Sequence, residues 1–412
     1  MKTKLNLAVA AALLASASSA NAGIMIPAGD WTLDIGGIVN TYYTHTNHSG
    51  DNHGGGYGGA LFTSANGLEG SGGDDSVSNI TTGLLPNYLS VSGKTRQNDL
   101  DVGFTISINP GSSTTNAGRQ TSQQENRQAF LTMGDKSWGS IKIGKDLGIF
   151  ASDAILNDMT LLGVGSGAGS LAGNTTTLGR IGTGFMYADW KSQIAYSSPN
   201  FSGFSFTAGV TQAWNAIEAV AHSASSSNRG GSSPAFEGKA SYEWAGDVGG
   251  KVWVSAMTQK VEDLTSALGN VGDDRATAYD IGTTVNLAGF GLTGYYYKGD
   301  GIGQTLQLFD GFDVNGNDRE SDGYYVQATY TLPGVGTKLG ASYGESNLDG
   351  NGVDGFSDIE DNMWTVGAYH PITKHLNLVA EYSQTKHEVD HKGTADLDGK
   401  AKTISLGAIL FF

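Results

Sequence analysis

Very few folds accommodate the last eight residues of this chain, Ser405-Leu406-Gly407-Ala408-Ile409-Leu410-Phe411-Phe412. As a strand they continue a two-residue alternation. Ile404, Leu406, Ala408, Leu410 and Phe412 share one face, and Thr403, Ser405 and Gly407 share the other. In water such a stripe is an aggregation-prone edge, whereas in a bilayer it is an ordinary lipid-facing surface, provided each backbone N–H and C=O is paired with a neighbouring strand. No stretch beyond the N-terminus offers the run of about 20 apolar residues that a spanning helix needs, so any crossing must be made by strands closed into a barrel. The final strand is therefore expected to close against the first.

The rest of the chain repeats the alternation. About 16 segments approach the 9 to 11 residues of a tilted membrane strand, an even number as single-chain barrels require. In Tyr324 to Leu332, Tyr324, Val326, Ala328, Tyr330 and Leu332 oppose Tyr325, Gln327, Thr329 and Thr331; in Leu376 to Thr385, Leu376, Leu378, Ala380 and Tyr382 oppose Asn377, Glu381 and Ser383. The connections alternate as well. Tight turns with Gly, Pro, Asn and Asp are expected at 134–139, 199–203, 246–250, 289–291, 333–336 and 373–374. Long polar segments are expected at 45–83, 109–124, 146–189, 215–234, 262–275, 299–321, 346–362 and 387–400. Short turns on one side and long loops on the other is the asymmetry of a transmembrane barrel, and a soluble β-sandwich has no reason to show it. The predicted fold is all-β, a transmembrane antiparallel up-and-down barrel of one domain.

The N-terminus agrees. Lys2 and Lys4 precede an apolar run from Leu5 to Ala15, and Ala20-Asn21-Ala22 forms a small-residue cleavage site, so residues 1–22 are expected to be a signal peptide and residues 23–412 the barrel. The net charge is −16, with 62 Gly, 7 Pro and no Cys. A chain without Cys uses neither disulfides nor thiolate metal sites. Its acidity disfavours nucleic acid as a partner.

Several stretches resemble the general diffusion porins of Gram-negative outer membranes. Glu125-Asn126-Arg127-Gln128-Ala129-Phe130-Leu131 and Trp138-Gly139-Ser140-Ile141-Lys142-Ile143-Gly144-Lys145 look like their fourth and fifth strands. Asp153 to Met159 with Leu161 to Gly165 looks like the third long loop, which folds into the channel, and Gly179-Arg180-Ile181-Gly182 with Gln193 to Pro199 looks like its return. The C-terminal Ser405, Gly407, Leu410 and Phe412 resemble the signal read by the barrel assembly machinery. The resemblance implies a homotrimer in the outer membrane, in contact with lipid and lipopolysaccharide. Each 16-stranded barrel would pass small hydrophilic solutes and ions by passive diffusion.

It also implies a constriction in which loop acids face wall bases across water, giving a transverse field. Carried over by position, Asp158 and Asp153 are the loop acids, and Arg127, Arg180 and Lys142 the bases. Arg127 shares parity with Ala129, Leu131 and Met133, which points outward, but a lipid-exposed Arg costs about 2–4 kcal/mol at the midplane and so favours the lumen. Tyr88 stands where the family carries a further wall arginine, and the second loop acid falls among Thr160, Leu161 and Leu162. A weaker field and a more apolar eyelet are expected. The acidic loops favour cations.

Other patterns carry less. Gly350-Asn351-Gly352-Val353-Asp354-Gly355 imitates a dinucleotide loop, but among acids that repel phosphate. Gly340-Ala341-Ser342-Tyr343-Gly344 imitates a hydrolase elbow, but inside an alternating strand. No enzymatic function is expected. Asp349, Asn351 and Glu360 fall at positions 1, 3 and 12 of a calcium-loop spacing, although Val353 and Asp354 break it, and the segment from Asp310 to Asp318 is rich in oxygen ligands. Loop-bound Ca2+ is the one cofactor the sequence suggests. Alternatives to general diffusion are a substrate-specific channel, with Tyr88, Trp214 and the aromatics of Phe185 to Trp190 as a stacking surface, and a non-conducting barrel that displays its loops.

Overall fold

The computed structural model describes residues 23–50, 76–114, 124–167, 176–216, 231–266 and 269–412. The expected signal peptide and the middle of the segments 45–83, 109–124, 146–189 and 215–234 lie outside them. Nineteen strand segments join one continuous sheet. They are β1 (Ile24–Ala28), β2 (Trp31–Gly50), β3 (Ser76–Thr81), β4 (Tyr88–Gln97), β5 (Leu100–Pro110), β6 (Gln124–Glu125), β7 (Ala129–Asp135), β8 (Gly139–Leu147), β9 (Trp190–Ser197) and β10 (Phe204–Thr211). They continue with β11 (Ala235–Trp244), β12 (Val248–Ser266), β13 (Gly269–Leu287), β14 (Phe290–Asp300), β15 (Glu320–Thr331), β16 (Lys338–Asp349), β17 (Phe356–Pro371), β18 (Leu376–His391) and β19 (Leu397–Phe411).

Three segments extend the line of another. β3 and β4 both pair with β2, β6 and β7 both pair with β5, and β1 takes the place beside Trp31 to Ile35 that β19 leaves vacant. The result is a closed barrel of 16 antiparallel strands. Closure runs from Gly399 opposite Gly50 to Phe411 opposite Ile38, and Phe412 completes it by exchanging backbone hydrogen bonds with Gly37 at 2.8 and 3.0 Å.

The alternation sorts side chains as the sequence indicates. On β19, Ile404 and Leu406 are 45% and 52% exposed on the outside while Ser405 is 0% exposed inside. Leu292, Val326, Leu339, Val366 and Leu378 continue this apolar band. Outward aromatics border it, with Tyr324 by Tyr343 and Trp364 by Tyr382 at one level, and Phe290 by Tyr330 and Tyr242 by Trp244 at the other. Such girdles mark the two membrane interfaces. No described helix is long and apolar enough to cross a membrane.

The buried core lies in the lumen, not between layers. Phe150, Ile155, Met159, Phe185 and Leu308, from two loops, pack with inward Tyr325. The first is the expected 146–189 segment, which leaves the wall at 148 and is described over 148–167 and 176–189, with helix α1 (Ser152–Asn157) and a 3-10 turn Met159–Leu162. The second is 301–319, read from sequence as an outward polar loop. Instead Ile302, Gln304, Thr305, Leu308 and Phe312 are buried, and Gln304 donates to Ser346 O and Ile359 O. Apolar residues spaced through a polar stretch pull it inside.

Three other expected long loops are corrected to strand. β12 and β13 run on to Ser266 and Gly269, and the connections at 350–355 and 392–396 are short. Pairing persists above the membrane because inward Leu348, Phe356, Ile359 and Val389 form a small buried cluster there. Outward positions of the same strands carry charge. Above Trp364, β17 presents Asn362, Glu360 and Asp358, and Asp358 is paired in register with Asp349 and Asp390. The calcium-loop spacing is thereby undone. Asp349 and Glu360 stand on paired strands opposite Asp358 and Asn347 instead of wrapping one point, while Asn351 N donates to Asp354.

Candidate functional site: the inward loop and its cavity

Loop 148–189 is bonded to the wall mainly by side chains of β11–β18. Glu237 on β11 accepts from Ile149 N and Phe150 N at 2.7 and 2.9 Å, and also from Lys191 Nζ. Glu381 on β18 accepts from Val164 N and Gly165 N at 2.7 and 2.9 Å and from the Tyr369 hydroxyl. Each carboxylate meets backbone donors that the loop leaves unpaired, and such charge-assisted bonds are roughly twice as strong as neutral ones. Tyr325 OH donates to Ala154 O, and Gln327 bonds both Asn157 O and Met159 N. On the opposite wall, Tyr42 OH reaches Leu162 O.

The two loop acids do not face bases across an open gap. Asp153, in the first turn of α1, is gripped by Lys251 at 2.6 Å and Lys239 at 3.0 Å. Burial works to raise its carboxyl, and the two ammonium groups outweigh this and hold it below the ordinary range. Asp158 caps the 3-10 turn, accepting from Thr160 N and the Thr160 hydroxyl, with Arg180 Nε at 3.9 Å. Arg180 is fully enclosed, donating to Met363 O at 2.8 Å and Ser342 Oγ at 2.5 Å. Asp153, Asp158 and Arg180 therefore act as loop anchors. Ser342, the nucleophile of the hydrolase-like pattern, is an inward strand residue that accepts from Arg180.

Lys142 points inward, ion-paired with Asp146 and 5.0 Å over the Phe130 ring. Arg127 is inward too, although its parity suggested otherwise, because residues 126–128 interrupt the β6–β7 line and release the side chain from the alternation. Its Nε donates to Glu125 at 2.7 Å, Nη2 donates to Thr176 Oγ1 at 3.2 Å, and the guanidinium lies 5.7 Å over Trp190.

The space left by the loop lies on this side. A cavity of about 250 Å³ separates α1 and the loop return from the β4–β9 wall. Tyr88, Arg127, Gln128 and Asp189 are among its polar lining, and Leu84, Leu156, Leu161 and Leu306 among its apolar lining. Of the stacking candidates, Tyr88, Tyr187 and Trp190 line it, whereas Phe185 packs on Tyr325 and Trp214 lies under Lys191. Leu84 arrives through segment 82–87, which breaks the line between β3 and β4 and folds inward, its backbone bonded to Gly163 O. The only signal for this inward turn is the apolar Leu84-Leu85-Pro86 after a polar strand. Lys239, Lys251 and Glu237, also missed, were detectable as charges on the inward parity of alternating strands. Among the described residues no three His, Asp or Glu converge as metal ligands.

A profile of Gram-negative porins matches residues 8–390. The chain belongs to the Gram-negative porins. Solved structures place this porin in the same fold. DcaP of Acinetobacter baumannii aligns with a TM-score of 0.65 at 17% identity, covering 95% of this chain and 100% of that one. The anion-selective porin of Comamonas acidovorans aligns at 0.59 and 16%, covering 93% and 100%. OmpT of Vibrio cholerae, in its trimer form, aligns at 0.53 and 13%, covering 93% and 99%. No curated protein matches. The porin is an outer-membrane channel through which small solutes diffuse.

Proposed function

We propose that solutes cross this porin off its axis, through the cavity between loop 148–189 and the β4–β9 wall. The observation that carries this is the asymmetry of the loop. Its β11–β12 side is closed by Asp153 bound to Lys239 and Lys251, while the Arg127 side holds a cavity of about 250 Å³. No cofactor and no catalytic step enter. Diffusion down a gradient needs only water, a limiting width and the charges that line it. The expected eyelet of opposed charges at Asp158 and Arg180 gives way to one in which Arg127, Asp189 and Tyr88 meet the solute.

The proposed assembly is a homotrimer, supported by family membership and by the trimeric relative from Vibrio cholerae. The proposed ion preference is for cations, which the outward and loop carboxylates concentrate at the mouth. Planar-bilayer recording tests all three. Ohmic steps in threes, with a zero-current potential of cation sign under a salt gradient, are expected. Bulky replacement at Gln128 should lower the conductance more than the same change at Ser255, beside the closed face. A larger effect at Ser255 would move the path to the opposite side, and no current from the folded protein would end the channel reading.

A further inference from the structure

The cavity's lining mixes apolar residues with both signs of charge. Leu84, Leu156, Leu161 and Leu306 line it together with Arg127 and Asp189, beside Tyr88 and Trp190. A purely sugar-like or ionic solute would leave the leucines badly solvated. A purely apolar solute would strip water from the guanidinium and the carboxylate without replacing it, which costs free energy wherever polar groups are buried. The surface is matched by a small molecule with a carboxylate for Arg127, an ammonium for Asp189 and an apolar branch for the leucines. At about 250 Å³ the cavity lies just below the usual range of ligand pockets, which suits one such molecule and not an extended peptide.

We propose that this cavity is a transit subsite for small zwitterions with an apolar side chain, of the kind typified by aliphatic and aromatic α-amino acids. The inference rests on the off-axis path proposed above. Arg127 keeps its contacts to Glu125 and Thr176, which fix the guanidinium plane and so orient the carboxylate that approaches it. Asp189 is held in place by the bond its carboxylate accepts from Trp190 N at 2.6 Å. The leucines come from separate elements, α1, the 3-10 turn, the broken β3–β4 line and loop 301–319, so the apolar lining exists only when both inward loops are seated.

The test uses the purified folded porin in liposomes, with uptake of leucine and asparagine measured in parallel. The two are both zwitterions and nearly equal in size, and differ in side-chain polarity. Leucine should enter about tenfold faster, the scale on which an apolar pocket discriminates. In Leu156→Asn and Leu306→Asn the leucine-to-asparagine ratio should fall toward one, and because the ratio is read within each variant, differences in folded yield cancel. A ratio near one in the wild type, with normal ion conductance, overturns the inference and leaves the channel reading standing. A high ratio unchanged in both variants also overturns it, by placing the preference elsewhere. Loss of ion conductance in the wild type would instead remove the channel reading itself.

Discussion

Arg180 shows how much depends on a single inward side chain. It sits fully buried between the loop return and β16–β17, with Asp158 as its neighbouring acid. Arg180→Met leaves that buried carboxylate with only Lys338, beyond ion-pair distance, as a cation, and breaking a buried pair in this way typically costs about 3–5 kcal/mol. The double variant with Asp158→Asn should be milder than the single one, and thermal unfolding of the detergent-folded barrel compares them. If the double variant is the worse, the two residues act independently. Asp358 gives the opposite case, a carboxylate above the membrane. Burial and then the neighbouring Asp349 and Asp390 push its carboxyl up to about 7. Because this folded value exceeds the ordinary one, the stabilisation is complete below about pH 4 and is lost as pH rises through 7. The tips of β16–β18 should therefore exchange amide protons faster at pH 8 than at pH 4, beyond the intrinsic pH effect, and Asp358→Asn should remove the difference. An unchanged profile in the variant would assign the effect to other groups.

Among the elements, α1 depends most on its surroundings. A six-residue helix has little stability of its own, and this one is fixed by Lys239 and Lys251 on Asp153 and by Tyr325 on Ala154 O. Replacing both lysines by Met leaves Asp153 buried and unpaired. The expected outcome is a noisier channel with raised mean conductance, read in single-channel records, and a quiet trace at the wild-type level would show that the helix holds without them. Gly163 marks the same tightness, since a Cβ there would stand 2.1 Å from the Glu381 carboxylate. These elements also show where the sequence was readable. The membrane strands were, because lipid outside and water inside enforce a period of two on every residue from Tyr324 to Thr331 or from Leu376 to Thr385. Arg127 was readable as inward from the cost of a lipid-exposed Arg although parity pointed the other way, the strand breaking at 126–128, and Asp158 and Arg180 could be named but not placed, since loop register has no periodic signal. Loop 301–319 and the segment 82–87 escaped for the same reason.

At the level of the whole molecule, the barrel is one closed hydrogen-bonded sheet, so its seam matters more than any single strand. Removing Leu410, Phe411 and Phe412 deletes the pairings opposite Val39 and Ile38 and both backbone bonds to Gly37. Such a chain should yield much less heat-resistant folded protein, as shown by its gel mobility before and after boiling; a normal yield would mean that the upper seam suffices. Nearly all the described side chains that seat the inner loop stand on β11–β18, whereas the barrel-wall side chains bordering the cavity, Tyr88, Asn109, Gln128, Leu147 and Trp190, stand on the β4–β9 side, and Arg127 between them also reaches the loop through Thr176. Responsibility for shape and responsibility for choice are thus carried by different halves of one cylinder. A lineage of such proteins can alter what it admits, substitution by substitution, without relearning how to fold.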